Sequence, residues 1–287
     1  MSAEPANMHK DPIQKVSSKK DDDQELLGKL GNLIIRLARS EEEISLAQQI
    51  RYQVFHESSE NLPEIQQPKS KLDIDRHDDH YSHFLILMGL EDGSQQVIGT
   101  QRVCLKRDGD GRPELYSQSE YDVAALIRKH PGKVFMDLGR SCILPDFRHK
   151  RTMELLWQGT WAYAVENKVE IMIGCASFHS QSYKKVESSL QFLHSYSPAE
   201  GLWAVKAIAH RGIQIQSSSE LLENARSIIR QLPPLIKGYL RLGAMFSSEA
   251  VVDLQFETVD IFVVLPIERI NPRYLNFYGK DASRHRG

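Results

Sequence analysis

Apolar runs and alternating stretches divide the chain into strand-like and helix-like segments. Leu33-Ile34-Ile35-Arg36-Leu37 is short, apolar and flanked by polar residues, which predicts a first strand. Ser40 precedes Glu43 by three positions, the spacing of a capping box, and opens a helix expected over 41–56 with Ile44, Ala47, Val54 and Phe55 on one face. Runs at 83–90 and 96–105 flank Asp92-Gly93, a dipeptide suited to a tight hairpin. A capped helix over 119–130, a strand over 134–143 and a helix over 152–167 follow. On that last helix Met153, Leu156, Trp157, Thr160, Trp161 and Ala164 recur at helical spacing. Val169 to Phe178 reads as a buried strand and Gln181 to Ser195 as a helix. Helices near 217–231 and 234–243 and strands near 249–256 and 258–265 complete the pattern. The order predicts an α/β (α+β) fold, a mixed central sheet with helices on both faces. Residues 1–30 are polar, with Lys19-Lys20 beside Asp21-Asp22-Asp23, and read as a mobile tail. Composition shows no break across 31–280, so a single domain is expected there.

Some charged residues fall where this pattern puts the interior. Arg51 lies on the apolar face of the 41–56 helix, and Arg102 shares a strand face with Ile98, Thr100 and Cys104. Asp137 sits between Met136 and Leu138 inside a strand. The cluster Asp73-Ile74-Asp75-Arg76-His77-Asp78 leads directly into the strand that starts near His83. A buried guanidinium is costly unless a carboxylate neutralises it, so Arg51 and Arg102 are expected to meet Asp75 and Asp78. The same residues fit two readings, a set of internal ion pairs or the polar part of a site.

The stretch from Asp137 to Thr152 adds chemistry. Gly139 permits a bulge in the strand, and Arg148, Lys150, Arg151 and Thr152 open the next helix. A basic loop at a helix N-terminus favours phosphate, through unpaired backbone N–H groups and the helix dipole. That suits the phosphate of a phosphopantetheine arm.

Net charge is −2, so no overall basic field points to nucleic acid. Cys104, Cys142 and Cys175 form no CxxC pair and each sits in an apolar run, which argues against a disulfide framework or a metal site. Cys175 as an acyl-enzyme nucleophile and His83 or His194 as bases are minor alternatives. No apolar run reaches the ~18 residues of a membrane span, and no signal peptide is visible, so a cytoplasmic protein is expected. Leu235 to Phe246, apolar but carrying Lys237 and Arg241, leaves open either a packed helix or a peripheral contact with the inner membrane.

In this order, Arg51-x-x-Val54-Phe55, Asp75-x-x-Asp78, Gly99-x-x-Arg102 and Asp137-x-x-Arg140 resemble the landmarks of acyl-homoserine-lactone synthases, which are GNAT-like N-acyltransferases. Longer strings resemble bacterial ornithine N-acyltransferases: Asp73 to Asp78 ending at His83, Leu138 to Thr152, Leu155 to Gly159, Gly174 to Phe178 and Pro233 to Ala244. The resemblance runs from about Leu33 to Tyr278. It implies a GNAT-like N-acyltransferase fold and transfer of a 3-hydroxyacyl chain from acyl carrier protein to the α-amine of L-ornithine. The product would be lyso-ornithine lipid, the precursor of ornithine lipids. Acyl carrier protein would be the co-substrate, with no other cofactor.

The segment Arg148 to Met153 lacks the glycines that acetyl-CoA-using relatives carry for the pyrophosphate, and it has added positive charge. That difference favours a carrier-protein arm with its single phosphate. Asp137 stands where these families often have Glu. By resemblance, Asp137 is the expected base and Arg140 holds it in place, with backbone N–H groups at Gly139 and Arg140 receiving the oxyanion. Asp137 and Arg140 would point to opposite faces of a regular strand, so this arrangement requires the bulge. Asp75, Asp78, Arg51 and Arg102 would shape the amino-acid pocket and receive the second ammonium of the substrate. Arg148, Lys150, Arg151 and Thr152 would take the phosphopantetheine phosphate and the acidic face of the carrier. The alternatives are the same chemistry on glycine, glutamine, lysine or S-adenosylmethionine, or a non-catalytic module that binds acyl carrier protein.

Overall fold

The computed structural model describes residues 15–16, 26–57 and 70–270. Most of the expected tail, including Lys19 to Asp23, and residues 271–280 of the expected domain lie outside the described residues. In chain order the elements are β1 (Lys15–Val16), β2 (Leu26–Leu30), β3 (Leu33–Leu37), α1 (Glu41–Tyr52), β4 (Ser82–Gly89) and β5 (Gln95–Lys106). They continue with α2 (Val123–Arg128), β6 (Phe135–Ile143), α3 (Lys150–Glu166), β7 (Ile171–His179), α4 (Tyr183–Tyr196) and β8 (Gly212–Gln214). The last are α5 (Ser219–Glu223), α6 (Ala225–Gln231), α7 (Pro234–Leu242), β9 (Met245–Asp253) and β10 (Thr258–Pro266). The strands form one mixed sheet in the order β2-β3-β4-β5-β6-β7-β10-β9-β8, with β1 added on β5.

Local chemistry sets several boundaries. The Ser40 hydroxyl accepts the Glu43 N–H and starts α1. The Glu43 carboxylate does not close the box on Ser40. It takes the Arg39 N–H and a bidentate pair from the buried Arg36 at 2.7 and 2.8 Å. The expected tail is too long at its C-terminal end, because Leu26–Leu30 pairs with β3 through a turn at Gly31, where φ is +67°. Gly28 and Lys29 interrupt that apolar run and hide it in the sequence. The helix expected over 119–130 shrinks to α2, capped by Asp122, after a 3-10 turn at Tyr116–Ser119. β9 starts at Met245, just after the α7 helix ends on Gly243 in the left-handed region, which only glycine adopts without strain.

Alternation assigns the two sheet faces. Ile35, Phe84, Ile86, Met136 and Leu138 pack beneath α3 together with Leu155, Leu156 and Tyr239. On the other face, Ile34, Leu85, Leu87 and Cys142 pack with Ala47 and Ile50 of α1, and Phe135, Ile173, Phe262 and Val264 pack with α2. The gap between these two apolar clusters is where the charged residues gather. Ile236, Tyr239 and Leu242 of α7 are buried, and Tyr239 meets Trp157 edge-on at 5.2 Å, so the apolar side of this helix faces inward. Among the described residues, no helix is long and apolar enough to cross a membrane.

The strands β6 and β7, the parallel neighbours at the centre of the sheet, pair only at Phe135–Ile171, Met136–Met172 and Asp137–Ile173. β7 stays paired with β10 along its whole length, so past Asp137 the sheet opens into a wedge between residues 138–143 and 174–179. Both strands run toward the mouth of the wedge, and α3 begins there after β6 ends. Gly174 sits at the apex: a Cβ on it would lie 2.5 Å from the Leu138 carbonyl oxygen. Gly174→Ala is therefore expected to force the strands apart and to lower stability by about 1–3 kcal/mol. A urea unfolding midpoint that matches the wild type would contradict this.

Candidate active site

The bulge expected in β6 is present, one residue further along than Gly139. Thr100 pairs with Cys142 and Arg102 with Gly139, so two residues of β6, Arg140 and Ser141, oppose Gln101 alone. Arg140 carries the strain, with φ +50°. The extra residue flips the parity of the strand. Met136 and Leu138 face α3, yet after the bulge it is Ile143 that faces α3, and Cys142 faces α1. Asp137 and the Arg140 guanidinium consequently share the polar face.

Arg140 does not hold Asp137. Its guanidinium donates to Asp73 at 3.0 Å and to Asp75 at 3.1 Å, and it stacks over the rings of Tyr116 and Phe256. Asp137 is held by neutral donors: its Oδ2 accepts the Tyr81 hydroxyl at 2.5 Å and the Ser117 N–H at 3.4 Å. Tyr81 is fixed in turn by the Tyr116 N–H at 2.7 Å. Asp137 is 1% exposed and its Oδ1 has no hydrogen-bond partner among the described residues. Burial pushes its carboxyl up to about 6, against the pull of the Tyr81 and Ser117 donors.

Arg51, Arg102, Asp75 and Asp78 do meet, in a ring that also includes Asp73 and Arg140. Arg51 reaches Asp78 at 2.9 and 2.8 Å and Asp73 at 2.9 Å. Arg102, fully buried, reaches Asp75 at 2.7 and 2.6 Å and Asp78 at 2.7 Å. Three guanidinium groups thus balance three carboxylates. Burial alone would raise these carboxylates, but the arginines outweigh it and Asp73, Asp75 and Asp78 all fall below the usual range. A carboxylate offers about four acceptor positions. Asp75 spends its own on Arg102, Arg140 and the His77 N–H, and Asp78 on Arg51, Arg102, Gln48 and the Asp75 N–H. Neither has an acceptor left for a substrate ammonium, which corrects that part of the expectation.

At the mouth of the wedge, His149 caps α3 by accepting the Thr152 N–H. Arg148, Lys150 and Arg151 around this helix start are exposed. Arg148 donates to the Ile143 carbonyl at 2.9 Å, Lys150 lies 3.4 Å from Glu154, and Arg151 leans toward the Leu30 carbonyl. Thr152 departs from the expected set. Its side chain is fully buried and its hydroxyl meets the His149 ring, so it does not face the mouth.

A cavity of about 490 Å³ opens beside the ring, lined by Asp75, Tyr116 and Arg140 and also by Glu120, Arg211 and Asp253. Glu120 and Asp253 bring carboxylate oxygens within 4.8 Å of one another and of Asp260, which lies behind the cavity lining.

Residues 50–158 match the acetyltransferase (GNAT) domain family. The chain is 44% identical over 268 residues to the L-ornithine N(alpha)-acyltransferase of Agrobacterium fabrum, covering 93% of this chain and 92% of that protein. It is 43% identical to the protein of the same name from Rhizobium meliloti, covering 91% and 88%. The chain belongs to the L-ornithine N(alpha)-acyltransferase family. A solved CoA-dependent acyl-homoserine lactone synthase is also similar, at TM-score 0.44 and 10% identity over 85% of this chain and 83% of that one.

For a member of the L-ornithine N(alpha)-acyltransferase family, the sequence reading missed several residues that sit at the site. Tyr81 and Ser117 are neutral partners remote in sequence from Asp137, so no spacing marks them. Asp260 had a usable signal, lying between Val259 and Ile261 just as Asp137 lies between Met136 and Leu138. Of the minor candidates, Cys175 is pushed well up by burial and by the Glu120 and Asp260 charges, so its thiol stays protonated and unreactive. His83 is buried against the Asp78 carbonyl at 3.1 Å, and burial lowers its pKa, so it is a neutral structural group.

Proposed function

We propose that this acyltransferase moves a 3-hydroxyacyl chain from acyl carrier protein to the α-amine of L-ornithine, forming lyso-ornithine lipid. The observation that carries this reading is the 44% identity across nearly the whole length of a protein named as an acyltransferase for the α-amine of L-ornithine. The geometry supports it. The wedge between β6 and β7 gives an extended thioester arm a route to Asp137, and exposed Arg148, Lys150 and Arg151 put positive charge around the start of α3 for a phosphate and an acidic carrier.

In the proposed reaction, the ornithine α-ammonium gives up a proton to the unpartnered Oδ1 of Asp137. The amine nitrogen then bonds to the thioester carbonyl carbon, and the developing oxyanion is received by backbone N–H groups at the Arg140–Ser141 bulge that follows Gly139. Collapse breaks the C–S bond and leaves an amide, while the departing thiolate takes up the second proton of the nitrogen. A carboxyl near 6 is mostly ionised at neutral pH yet still basic enough to accept a proton. Acyl carrier protein serves as co-substrate, and the proposal uses no further cofactor.

The test is mass spectrometry of products from purified protein given 3-hydroxyacyl carrier protein and a pool of L-ornithine, glycine, glutamine, lysine and S-adenosylmethionine. N-acylated ornithine is the expected product. A different acylated amine would overturn the acceptor, and no acylated amine at all would overturn the reaction.

A further inference from the structure

The ring of ion pairs leaves the acceptor's second charge without a receptor, and a second carboxylate cluster, two of whose members line the cavity, has oxygens without partners. Glu120 is 2% and Asp260 5% exposed, and Glu120 Oε2 and Asp260 Oδ1 make no hydrogen bond among the described residues. The nearest cation to Glu120 is Arg211, 3.7 Å from its other oxygen, Oε1. Asp253 closes the group at the turn that follows β9, where its Oδ1 accepts the Gln255 and Phe256 N–H groups. Burying three carboxylates this close together is costly without a cation between them.

We propose that Glu120, Asp253 and Asp260 form the receptor for the side-chain ammonium of the acceptor amino acid, and so select a diamino acid over a neutral one. The inference rests on ornithine acylation as the function. Oxygens no more than 4.8 Å apart place a central atom within about 2.8 Å of each in an equilateral arrangement, the length of a charged N–H···O bond. A primary ammonium carries three donors to match the three carboxylates. The position also fits. Asp260 pairs with Ser177 on β7, and Phe262 with Cys175, so the receptor lies on the far limb of the wedge, on the face that carries Asp137. Arg140, Glu120 and Asp253 all line one cavity, so a short aliphatic side chain entering it meets two of the three receptor carboxylates. Burial and mutual repulsion raise Glu120 and Asp260, so binding of an ammonium between them should release a proton.

The experiment compares L-ornithine with L-norvaline, which has the same carbon chain without the δ-amine, as acceptors from 3-hydroxyacyl carrier protein. Wild type is expected to prefer ornithine, and Glu120→Gln to shrink the ratio of the two kcat/KM values by about 30-fold or more, mainly through the KM for ornithine. Asp253→Asn keeps the amide oxygen that caps the turn and replaces Glu120→Gln if that variant does not fold. An unchanged ratio in the folded variants, whether both rates fall together or neither moves, would overturn the proposal. So would a wild-type ornithine rate that depends on added Mg²⁺ or Ca²⁺ and collapses on chelation, since a metal would then occupy the receptor. Failure of the wild type to acylate ornithine while acylating another amine would instead overturn the function on which the inference rests.

Discussion

Asp137→Asn is expected to lower kcat/KM for amine acylation by about 10²–10⁴-fold, the usual contribution of a positioned base. In the wild type the rate should fall about tenfold per pH unit below pH 6, because the carboxyl must be ionised to accept a proton and its pKa is near 6. The acid limb should be absent from the residual activity of the variant. Stability supplies the control, and its sign is opposite to that of an ordinary acidic residue. The folded pKa lies above the ordinary aspartate value of 3.8, so between about pH 4 and 6 the unfolded state gives up this proton first. Rising pH through that window therefore costs folded stability, up to about 3 kcal/mol. Asparagine cannot ionise and still offers an oxygen to Tyr81 and Ser117. The variant should unfold in urea no earlier than wild type at pH 7. A loss of activity that tracked a loss of stability would show Asp137 to be structural.

That separation matters because the sequence marked charged residues well and their partners poorly. Arg51, Arg102 and Asp137 stood out by occupying apolar positions, and all three are buried on one face of the sheet. The β4–β5 hairpin and the β6-α3-β7 crossover followed from alternation, a turn signal and helical spacing, all of which act within a few residues. What decides the site acts across many more. The bulge exists because Arg140 and Ser141 face a single residue of β5, and only the register of the pair reveals it. Once the bulge turns Arg140 inward, the nearest carboxylates are Asp73 and Asp75 from the segment before β4, and Asp137 is left to Tyr81. Adjacency along the strand suggested Asp137 and Arg140 as a pair, and three-dimensional proximity chose other partners for both. The receptor carboxylates illustrate the same limit. Glu120 follows a 3-10 turn and Asp253 ends a strand, positions that usually reach solvent, and only the sheet brings them to Asp260.

Arg102→Met is expected to destabilise the fold by about 3–5 kcal/mol, the cost of stranding buried carboxylates once their cation is removed. Methionine fills much of the space of the arginine stem, so the loss reports charge more than volume. Asp75 and Asp78 would each lose a short bond, and Tyr81 and Tyr116 the guanidinium over their rings. The effect should depend on pH with a defined sign. Asp73, Asp75 and Asp78 ionise more readily folded than unfolded, so their contribution is present above about pH 4 and is lost as pH falls through their lowered values. The gap between variant and wild type should be widest at neutral pH and should close on acidification. Adding Asp75→Asn to Arg102→Met should recover part of the loss, because it removes one of the stranded charges. A cycle of the two single and one double variants, measured by urea unfolding at pH 7, gives that coupling directly. If the effects of the two substitutions simply add, the ring does not act as one ionic unit. If they couple strongly, the carboxylates of the Asp73–Asp78 segment are committed to the fold, and the second ammonium of the acceptor must find its charge elsewhere, at Glu120, Asp253 and Asp260.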